Sequence, residues 1–424
     1  MKLLFEASRE LPLVQLGVTF RVGGVHDPVG REGLARLTAR MLRRGTSRMS
    51  GEILEERVDG IGAELGAHVG LGSTIVGVET VARSLDEATA IVGEVLAEPT
   101  FDEAELEKLK RQAEAEIVAA RDDDDGLGAR ALRRELFRGH PHGRRVQGSV
   151  ASVRAITRAD VVAHHRRAYT VDNAVIAIGG AVEEDEARRL AERLVAGLPR
   201  GERLDYGVEE PQPAVGRRLV IADKPERSQC QLGIGTLGVK PTDDDYVPMM
   251  LANTVFGGMF TSRLNQEIRV KRGWSYGASS GLGSARVREA FTVSSAPAAD
   301  DAVACLEVQL GLLDALVEGG IEAPELAFAR DYARRSYAFE VDTAKKRLQQ
   351  RLDRALLDLP DDFHAVMLER MAHVTVDETN RALRRRIDPR ALWVSAVLTD
   401  ANLGDAFRSA LPWDEVVVQP YDRD

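Results

Sequence analysis

Val14-Gln15-Leu16-Gly17-Val18 recurs in this chain, 216 residues further on, as Cys230-Gln231-Leu232-Gly233-Ile234. Both stretches alternate apolar and other residues, as a strand with one buried face does. Two weaker matches lie at nearly the same offset, Phe101–Glu107 with Ile321–Ala327 and Ala174–Ile178 with Ala391–Val397. We therefore predict two homologous domains of about 210 residues each.

A short acidic stretch that contains proline, Glu209–Gly216, separates the two halves and is typical of a semi-rigid linker. We place the domains at 1–208 and 218–424, with the linker at 209–217. In each half the pattern predicts a strand, an amphipathic helix, a short helix, paired strands, two longer helices, and a closing strand and helix. The predicted helices are Gly33–Leu42, Leu85–Glu98, Asp102–Arg121, Asp245–Phe256, Ala302–Glu318 and Pro324–Ala338. Helices on one face of a mainly antiparallel sheet define the α+β class.

The composition is that of an ordinary globular protein, with 44% hydrophobic and 29% charged residues among 424. A formal net charge of -10 argues against nucleic acid as a partner, because it would repel a phosphate backbone. The two cysteines, Cys230 and Cys305, are too few for a disulfide framework or a metal knuckle and are predicted to be small buried residues.

No run of 18 apolar residues occurs, so no membrane-spanning helix is expected. The first five residues resemble the opening of a signal peptide, but Glu6, Arg9 and Glu10 interrupt any apolar core of such a segment. We expect a cytoplasmic location, and a periplasmic one stays open.

Chemistry is first suggested by the helix Gly33–Leu42, in which Arg36 and Arg40 stand four residues apart on one face. Two histidines at this spacing, with a glutamate between them, would form half of a zinc site and its general base. Here the intervening position is Ala39. A guanidinium has no lone pair to donate and stays protonated, so neither arginine can ligate a cation.

The residues around this helix resemble those of the pitrilysin-like M16 peptidases, namely Asp27-Pro28, Gly33-Leu34-Ala35, Met41-Leu42 and Gly45-Thr46. That family carries an inverted His-x-x-Glu-His motif at this place. The resemblance puts Arg36 and Arg40 at the two ligand positions and Ala39 at the base. It puts Glu116 at the third ligand position, about 76 residues beyond the second. Glu116 is either one more solvent-facing carboxylate or the partner of Arg36 or Arg40, because a carboxylate that faced a metal needs a replacement cation.

A second resemblance lies in the other half, in the stretch Phe256–Tyr276, which reads FGGMFTSRLNQEIRVKRGWSY. It is similar to the family's C-terminal signature, a small-residue turn followed by Ser-Arg-Leu, a helix, an Arg and Gly-x-x-Tyr. The resemblance implies that Arg269 and Tyr276 are a functional pair that reaches toward a zinc-bearing domain. Their donors suit a substrate carbonyl or the oxyanion of a tetrahedral intermediate. The alternative is a surface arginine and a tyrosine at a strand edge.

The histidines are weaker candidates for a metal site. His140-Pro141-His142-Gly143 and the pair His164-His165 do not form a closed tetrahedral set by themselves, and we assign them structural or surface roles.

The resemblance spans the chain and implies two domains that form half of a clamshell. A homologous M16 subunit with an intact zinc motif would complete a heterodimer, hold the zinc and supply the base. This chain would bind no metal, would be inactive alone, and would supply Arg269, Tyr276 and half of a chamber for peptide hydrolysis. The second hypothesis is an inert peptide-binding or structural scaffold of the same fold, in which the pair is a relic.

Overall fold

A computed structural model describes residues 2–423. The first half of the chain contains five strands, β1 (Lys2–Ala7), β2 (Leu13–Phe20), β3 (Glu64–Val69), β4 (Thr74–Val81) and β5 (Ala174–Gly180). Its eight α-helices are α1 (Leu34–Met41), α2 (Gly51–Gly60), α3 (Leu85–Ala97), α4 (Glu103–Ala119), α5 (Asp124–Leu136), α6 (Val150–Ala155), α7 (Arg158–Ala168) and α8 (Glu184–Val195).

The second half repeats this order. Its strands are β6 (Arg217–Asp223), β7 (Gln231–Leu237), β8 (Ala278–Leu282), β9 (Ala290–Ser295), β10 (Leu392–Leu398) and β11 (Glu415–Pro420). Its helices are α9 (Tyr246–Asn253), α10 (Arg263–Asn265), α11 (Ala302–Gly319), α12 (Ala323–Glu340), α13 (Ala344–Leu356), α14 (Phe363–His373), α15 (Val376–Arg386) and α16 (Asp400–Ala410). The π-helical turns Thr254–Gly258 and Gln266–Lys271 directly follow α9 and α10.

The two sheets have the same topology, which confirms the predicted α+β class and the duplication. The first has the strand order β1-β5-β2-β4-β3, and the second has β11-β6-β10-β7-β9-β8. Each is mainly antiparallel, with parallel pairing only at the β1 or β6 side. The second sheet differs only by the added edge strand β11.

The repeated five-residue stretches lie in β2 and at the start of β7, which are interior strands at corresponding positions of the two sheets. In β2 the alternate residues Val14, Leu16 and Val18 are almost fully buried in the first core. In β7 the corresponding Leu232 and Ile234 are buried in the second core. The alternation therefore points one face of each strand at a layer of helices, as the sequence predicted.

The compact units are not contiguous in sequence, and they differ from the predicted segments 1–208 and 218–424. One unit runs to Ile117 and takes in Arg144–Val208 and Phe339–Asp358, while the rest of the chain forms the other. Helix α5 thus belongs with the second sheet and helix α13 with the first. Leu348 and Leu352 of α13 pack with Leu4 and Val175 on the first sheet, outside its main core.

Helix α5 covers the corresponding face of the second sheet, so each sheet has a helix on the face opposite its main layer of helices. Leu132 of α5 packs with Val220 and Trp393. A Cβ on Gly235 of β7 would lie 3.1 to 3.2 Å from three atoms of the Leu132 side chain, so this glycine allows the close approach of the helix. The sequence patterns did not predict these two helices on the second face.

The first strand, β1, uses the apolar opening of the chain and pairs in parallel with β5. Across residues 2–423, no helix combines the length and the apolar character needed to cross a bilayer.

Candidate functional site

Helix α1 presents Arg36 and Arg40 because the rest of its surface is buried. Residues Leu34, Ala35, Leu37, Thr38, Ala39 and Met41 are all buried. The two arginines, four residues apart, project from the remaining stripe with side chains that are 27% and 25% exposed. Ala39, at the position predicted for a lost base, lies in the core, where its methyl group carries no proton acceptor.

Asp27 fixes the start of this helix. Its buried carboxylate accepts hydrogen bonds from the backbone N–H groups of Gly33 and Ala35, both at 2.9 Å. Burial raises the pKa of Asp27 to about 7, against the opposing effect of the backbone hydrogen bonds from Ala35 and Gly33. The carboxylate thus satisfies donors that the first turn of a helix leaves free.

Glu116 of α4 meets both arginines. Arg36 donates from Nη2 to Glu116 Oε2 at 2.7 Å. Arg40 donates from Nη1 to Oε2 at 3.0 Å and from Nη2 to Oε1 at 2.9 Å. Of the two interpretations left open by the sequence, the structure shows the ion pair, and it involves both arginines.

The electrostatics of Glu116 follow from this arrangement. Partial burial alone would raise its pKa, but the hydrogen bonds from Arg36 and Arg40 outweigh that effect and lower the pKa below its ordinary value. Both carboxylate oxygens already accept guanidinium N–H groups, and the two flanking residues offer no lone pair. The residues that the resemblance puts at the family's ligand positions therefore do not fit a zinc ion.

The second group of predicted residues belongs to the other compact unit, on the helical segment that starts with α10. Arg263 anchors this segment through two hydrogen bonds to the carboxylate of Glu325, at 2.8 and 2.6 Å, and one to the carbonyl of Gly320 at 2.9 Å. Leu264 and Ile268 are fully buried beneath it. The next turn, Gln266–Lys271, is a π-helix that carries Arg269.

Arg269 lies between two aromatic rings. Its guanidinium carbon is 5.0 Å from the centroid of Phe260 and 4.7 Å from that of Tyr276. Such cation–π contacts are worth about 0.5 to 1 kcal/mol each at exposed sites and orient the guanidinium plane. Within residues 2–423, no carboxylate forms an ion pair with Arg269. The structure therefore brings Arg269 and Tyr276 together and leaves the cation without a fixed anionic partner.

Ser275, the residue before Tyr276, holds this segment in place through two hydrogen bonds. Ser275 donates to the carbonyl of Gly277 at 2.7 Å and accepts the backbone N–H of Ala296 at 3.0 Å. Tyr276 as a residue is nevertheless 89% exposed. An aromatic ring this exposed has a phenolic hydroxyl that is available to a ligand.

The histidine motif has a structural role, as predicted. His142 is fully buried, and its Nδ1 lies 3.1 Å from Glu289 Oε2. Arg133 donates to both oxygens of Glu289 and, from Nε, to the carbonyl of His142 at 2.6 Å. Burial alone would raise the pKa of Glu289, but hydrogen bonds from His142 and Arg133 lower it to about 2.

The remaining predicted side chains are also structural. Burial lowers the pKa of His164 to about 3, and a ring nitrogen of His165 lies 2.9 Å from the carbonyl oxygen of Leu96. Both cysteines are buried and free, and burial raises the pKa of Cys230 to about 12, so that thiol is not poised as a nucleophile.

Sequence reasoning missed two features around these groups. Phe260, which stacks on Arg269, lies nine residues before it in a turn, where no periodicity links the two. Arg43 and Arg44 line a cavity next to Arg40, and the only signal for them was the density of arginine at the end of the first helix.

Comparisons with known proteins connect both groups to one family. A model described as insulinase, peptidase family M16, matches residues 2–149, and a model described as the peptidase M16 inactive domain matches residues 155–332. The two matches together cover more than half of the chain.

Individual similar proteins have names that are consistent with this family. An uncharacterized zinc protease of Rickettsia bellii is 26% identical over 267 residues, which are 63% of this chain and 64% of that protein. The non-peptidase homolog YmxG of Helicobacter pylori is 23% identical over 388 residues, 89% of this chain and 87% of that one. A crystal structure of a peptidase M16 inactive domain from Pseudomonas fluorescens has a TM-score of 0.86 and 25% identity, and the match covers 93% of this chain and 94% of that one.

Proposed function

Because this chain belongs to peptidase family M16, we propose that it is the non-catalytic partner subunit of a heteromeric zinc metallopeptidase. In this proposal a homologous subunit with an intact zinc motif holds the metal and supplies the general base. This chain contributes Arg269, Tyr276 and half of the wall of a chamber in which peptides are hydrolysed. The observation that carries the proposal is a contrast between two groups of residues. Arg36, Arg40 and Glu116 form a closed group, because they are engaged with one another in ion pairs. Arg269 and Tyr276 form an open group, because no carboxylate within residues 2–423 pairs with Arg269.

The closed group supports the absence of catalysis by this chain alone. Glu116 is engaged by Arg36 and Arg40, and Ala39 offers no proton acceptor. Activation of water at this position would need both lone-pair ligands and a base. The names of two of the similar proteins, a non-peptidase homolog and an inactive domain, are consistent with such a chain.

The open group supports a role in binding substrate and stabilising charge. The guanidinium of Arg269 is oriented by Phe260 and Tyr276, and its N–H donors are not committed to a carboxylate within residues 2–423. A fixed fork of donors beside a phenolic hydroxyl matches a peptide carbonyl or the oxyanion that develops from it. Donors held in place before the reaction lose little free energy to reorganisation when the charge appears.

The test is reconstitution. The chain is purified with the partner that co-purifies with it, and the turnover of an unfolded peptide is measured for the pair and for each subunit alone. We expect activity only in the pair. The substitution Arg269→Ala should lower kcat by a factor on the order of 10² or more, which is the usual cost of one oxyanion donor.

Two variants sharpen this test. Tyr276→Phe keeps the ring that stacks on Arg269 and removes only the hydroxyl, so it separates orientation from donation. Arg272→Ala is the matched control, because Arg272 also stacks on an aromatic ring, that of Trp274, one turn away. Full activity of the pair with Arg269→Ala would reject the proposal and favour the inert scaffold.

A further inference from the structure

A small cavity lies beside the replaced zinc ligands. It has a volume of about 160 Å³ and is lined by Arg40, Arg43, Arg44, Glu55 and Ala67. These residues come from the end of α1 and the turn that follows it, from α2, and from β3. A cavity of about 150 Å³ holds a benzene molecule in other proteins, so this one has room for the end of a side chain.

The cavity carries more positive than negative charge. Arg40 is paired with Glu116, but Arg43 only approaches Glu55 at 4.0 Å, the outer limit of an ion pair. Arg44 donates to the neutral amide oxygen of Gln112 at 3.2 Å and forms no ion pair within residues 2–423. At least one guanidinium thus faces the cavity without a compensating carboxylate.

The neighbouring cavity does not share this excess of positive charge. The larger cavity next to it, which shares Arg44 and Glu55, is lined by two further cationic residues and three further acidic ones: Arg48, Lys108, Glu52, Asp102 and Glu105. An anion is therefore favoured in the small cavity and disfavoured in the large one.

The strand beside the cavity has a free edge. β3 is the last strand of its sheet and pairs only with β4 among the described strands. Its residue Ala67 lines the cavity. An extended peptide can add to such an edge through backbone hydrogen bonds, and its alternate side chains then meet the pockets along that edge.

We propose that the Arg40–Arg43–Arg44 cavity binds a carboxylate of an extended peptide that lies along β3. The carboxylate belongs to an acidic side chain or to the C-terminus of the peptide, which offer the same chemistry. Bidentate guanidinium–carboxylate bonds supply the selectivity. The site goes beyond the proposed function, because it needs neither a partner subunit nor zinc.

The experiment measures the binding of fluorescent peptides to the isolated full-length chain by anisotropy. One peptide has an internal Gln and an amidated C-terminus, the second replaces that Gln with Glu, and the third has the Gln and a free C-terminus. We expect the second, the third or both to bind about tenfold more tightly than the first at low salt, and the difference to shrink in 0.5 M salt. The second and third peptides distinguish the two sources of the carboxylate.

Variants assign the preference to the cavity. Arg43→Gln/Arg44→Gln should abolish it, and Arg44→Gln alone, a milder change, should reduce it. Arg189→Gln, at an exposed position on α8, should leave it intact. Equal binding of the three peptides, no binding of any, or a preference that survives in a folded Arg44→Gln chain would overturn the inference. Those results would leave the reconstitution test of Arg269 unaffected, because no partner is present.

Discussion

Arg36 and Arg40 converge on the carboxylate of Glu116 from adjacent turns of one helix. A zinc site built at these positions would need the same convergence, with imidazoles in place of guanidinium groups. At the scale of single residues, two cationic side chains therefore hold Glu116 at the place where the family resemblance puts a zinc site. Because the Glu116 side chain is 45% exposed, the ion pairs are worth little more than about 1 kcal/mol to stability.

The convergence of Arg36 and Arg40 on Glu116 predicts that replacing both arginines with histidine creates a zinc site. Arg36→His/Arg40→His should bind about one zinc per chain, since two imidazoles on one helical face and Glu116 provide three ligands. Peptide hydrolysis should stay absent, because Ala39 still supplies no base. Metal analysis after dialysis measures the first effect and a peptide assay the second.

The matched control is Arg43→His/Arg44→His, which adds the same number of histidines three and four residues beyond Arg40. It should bind no more zinc than the unaltered chain. A folded Arg36→His/Arg40→His variant without bound zinc would show that the convergence on Glu116 is not that of a ligand set.

At the scale of elements, the attachment of helix α5 to the second sheet depends on Glu289. This carboxylate, directly before β9, is held by Arg133 of α5 and by the buried His142. A carboxylate whose pKa is lowered on folding stabilises the protein above its ordinary pKa, and that stability is lost as the pH falls toward the lowered value. For Glu289 the loss should occur between about pH 4.5 and 2.

We therefore predict that Glu289→Gln lowers the free energy of unfolding by about 3 kcal/mol at pH 6 and that the difference shrinks as the pH approaches 3. Thermal unfolding of the two proteins across this range measures it. Glu318→Gln, at an exposed position on α11, is the control and should have little effect at any pH. A difference independent of pH would assign the loss to packing instead of charge.

The close approach of α5 to β7 gives another prediction. Gly235→Ala should cost about 1 to 3 kcal/mol, because the new methyl group meets the side chain of Leu132. The same substitution in a Leu132→Ala background should cost much less, since the space is then free. Gly66→Ala, where nothing lies within 4 Å, is the control. Equal costs in both backgrounds would contradict the contact.

Sequence patterns predicted most elements but not where two helices pack. The alternation in β2 and β7 and the amphipathic face of α1 are local features, and the structure confirms them. Helices α5 and α13 each carry an apolar face, but such a face does not specify which sheet it covers. Periodicity therefore could not show that α5, from the first half of the sequence, packs on the second sheet and that α13, from the second half, packs on the first.

At the scale of the whole molecule, the predicted site residues form two groups, one engaged in internal ion pairs and one without a carboxylate partner within residues 2–423. The spacing of Arg36, Arg40 and Glu116 suggested their meeting, because each position had a family counterpart. The stacking of Phe260 on Arg269 and the charge of the cavity at Arg43 and Arg44 depend on tertiary packing, so the sequence did not reveal them. One group lacks the means to bind a metal, and the other presents a cation that has no carboxylate partner within residues 2–423.

The most direct measurement is the zinc content and peptidase activity of the isolated, unaltered chain after exposure to zinc and dialysis. The arginine–glutamate arrangement predicts less than about 0.1 zinc per chain and no hydrolysis of an unfolded peptide. Stoichiometric zinc with hydrolysis that Glu116→Gln abolishes would contradict it.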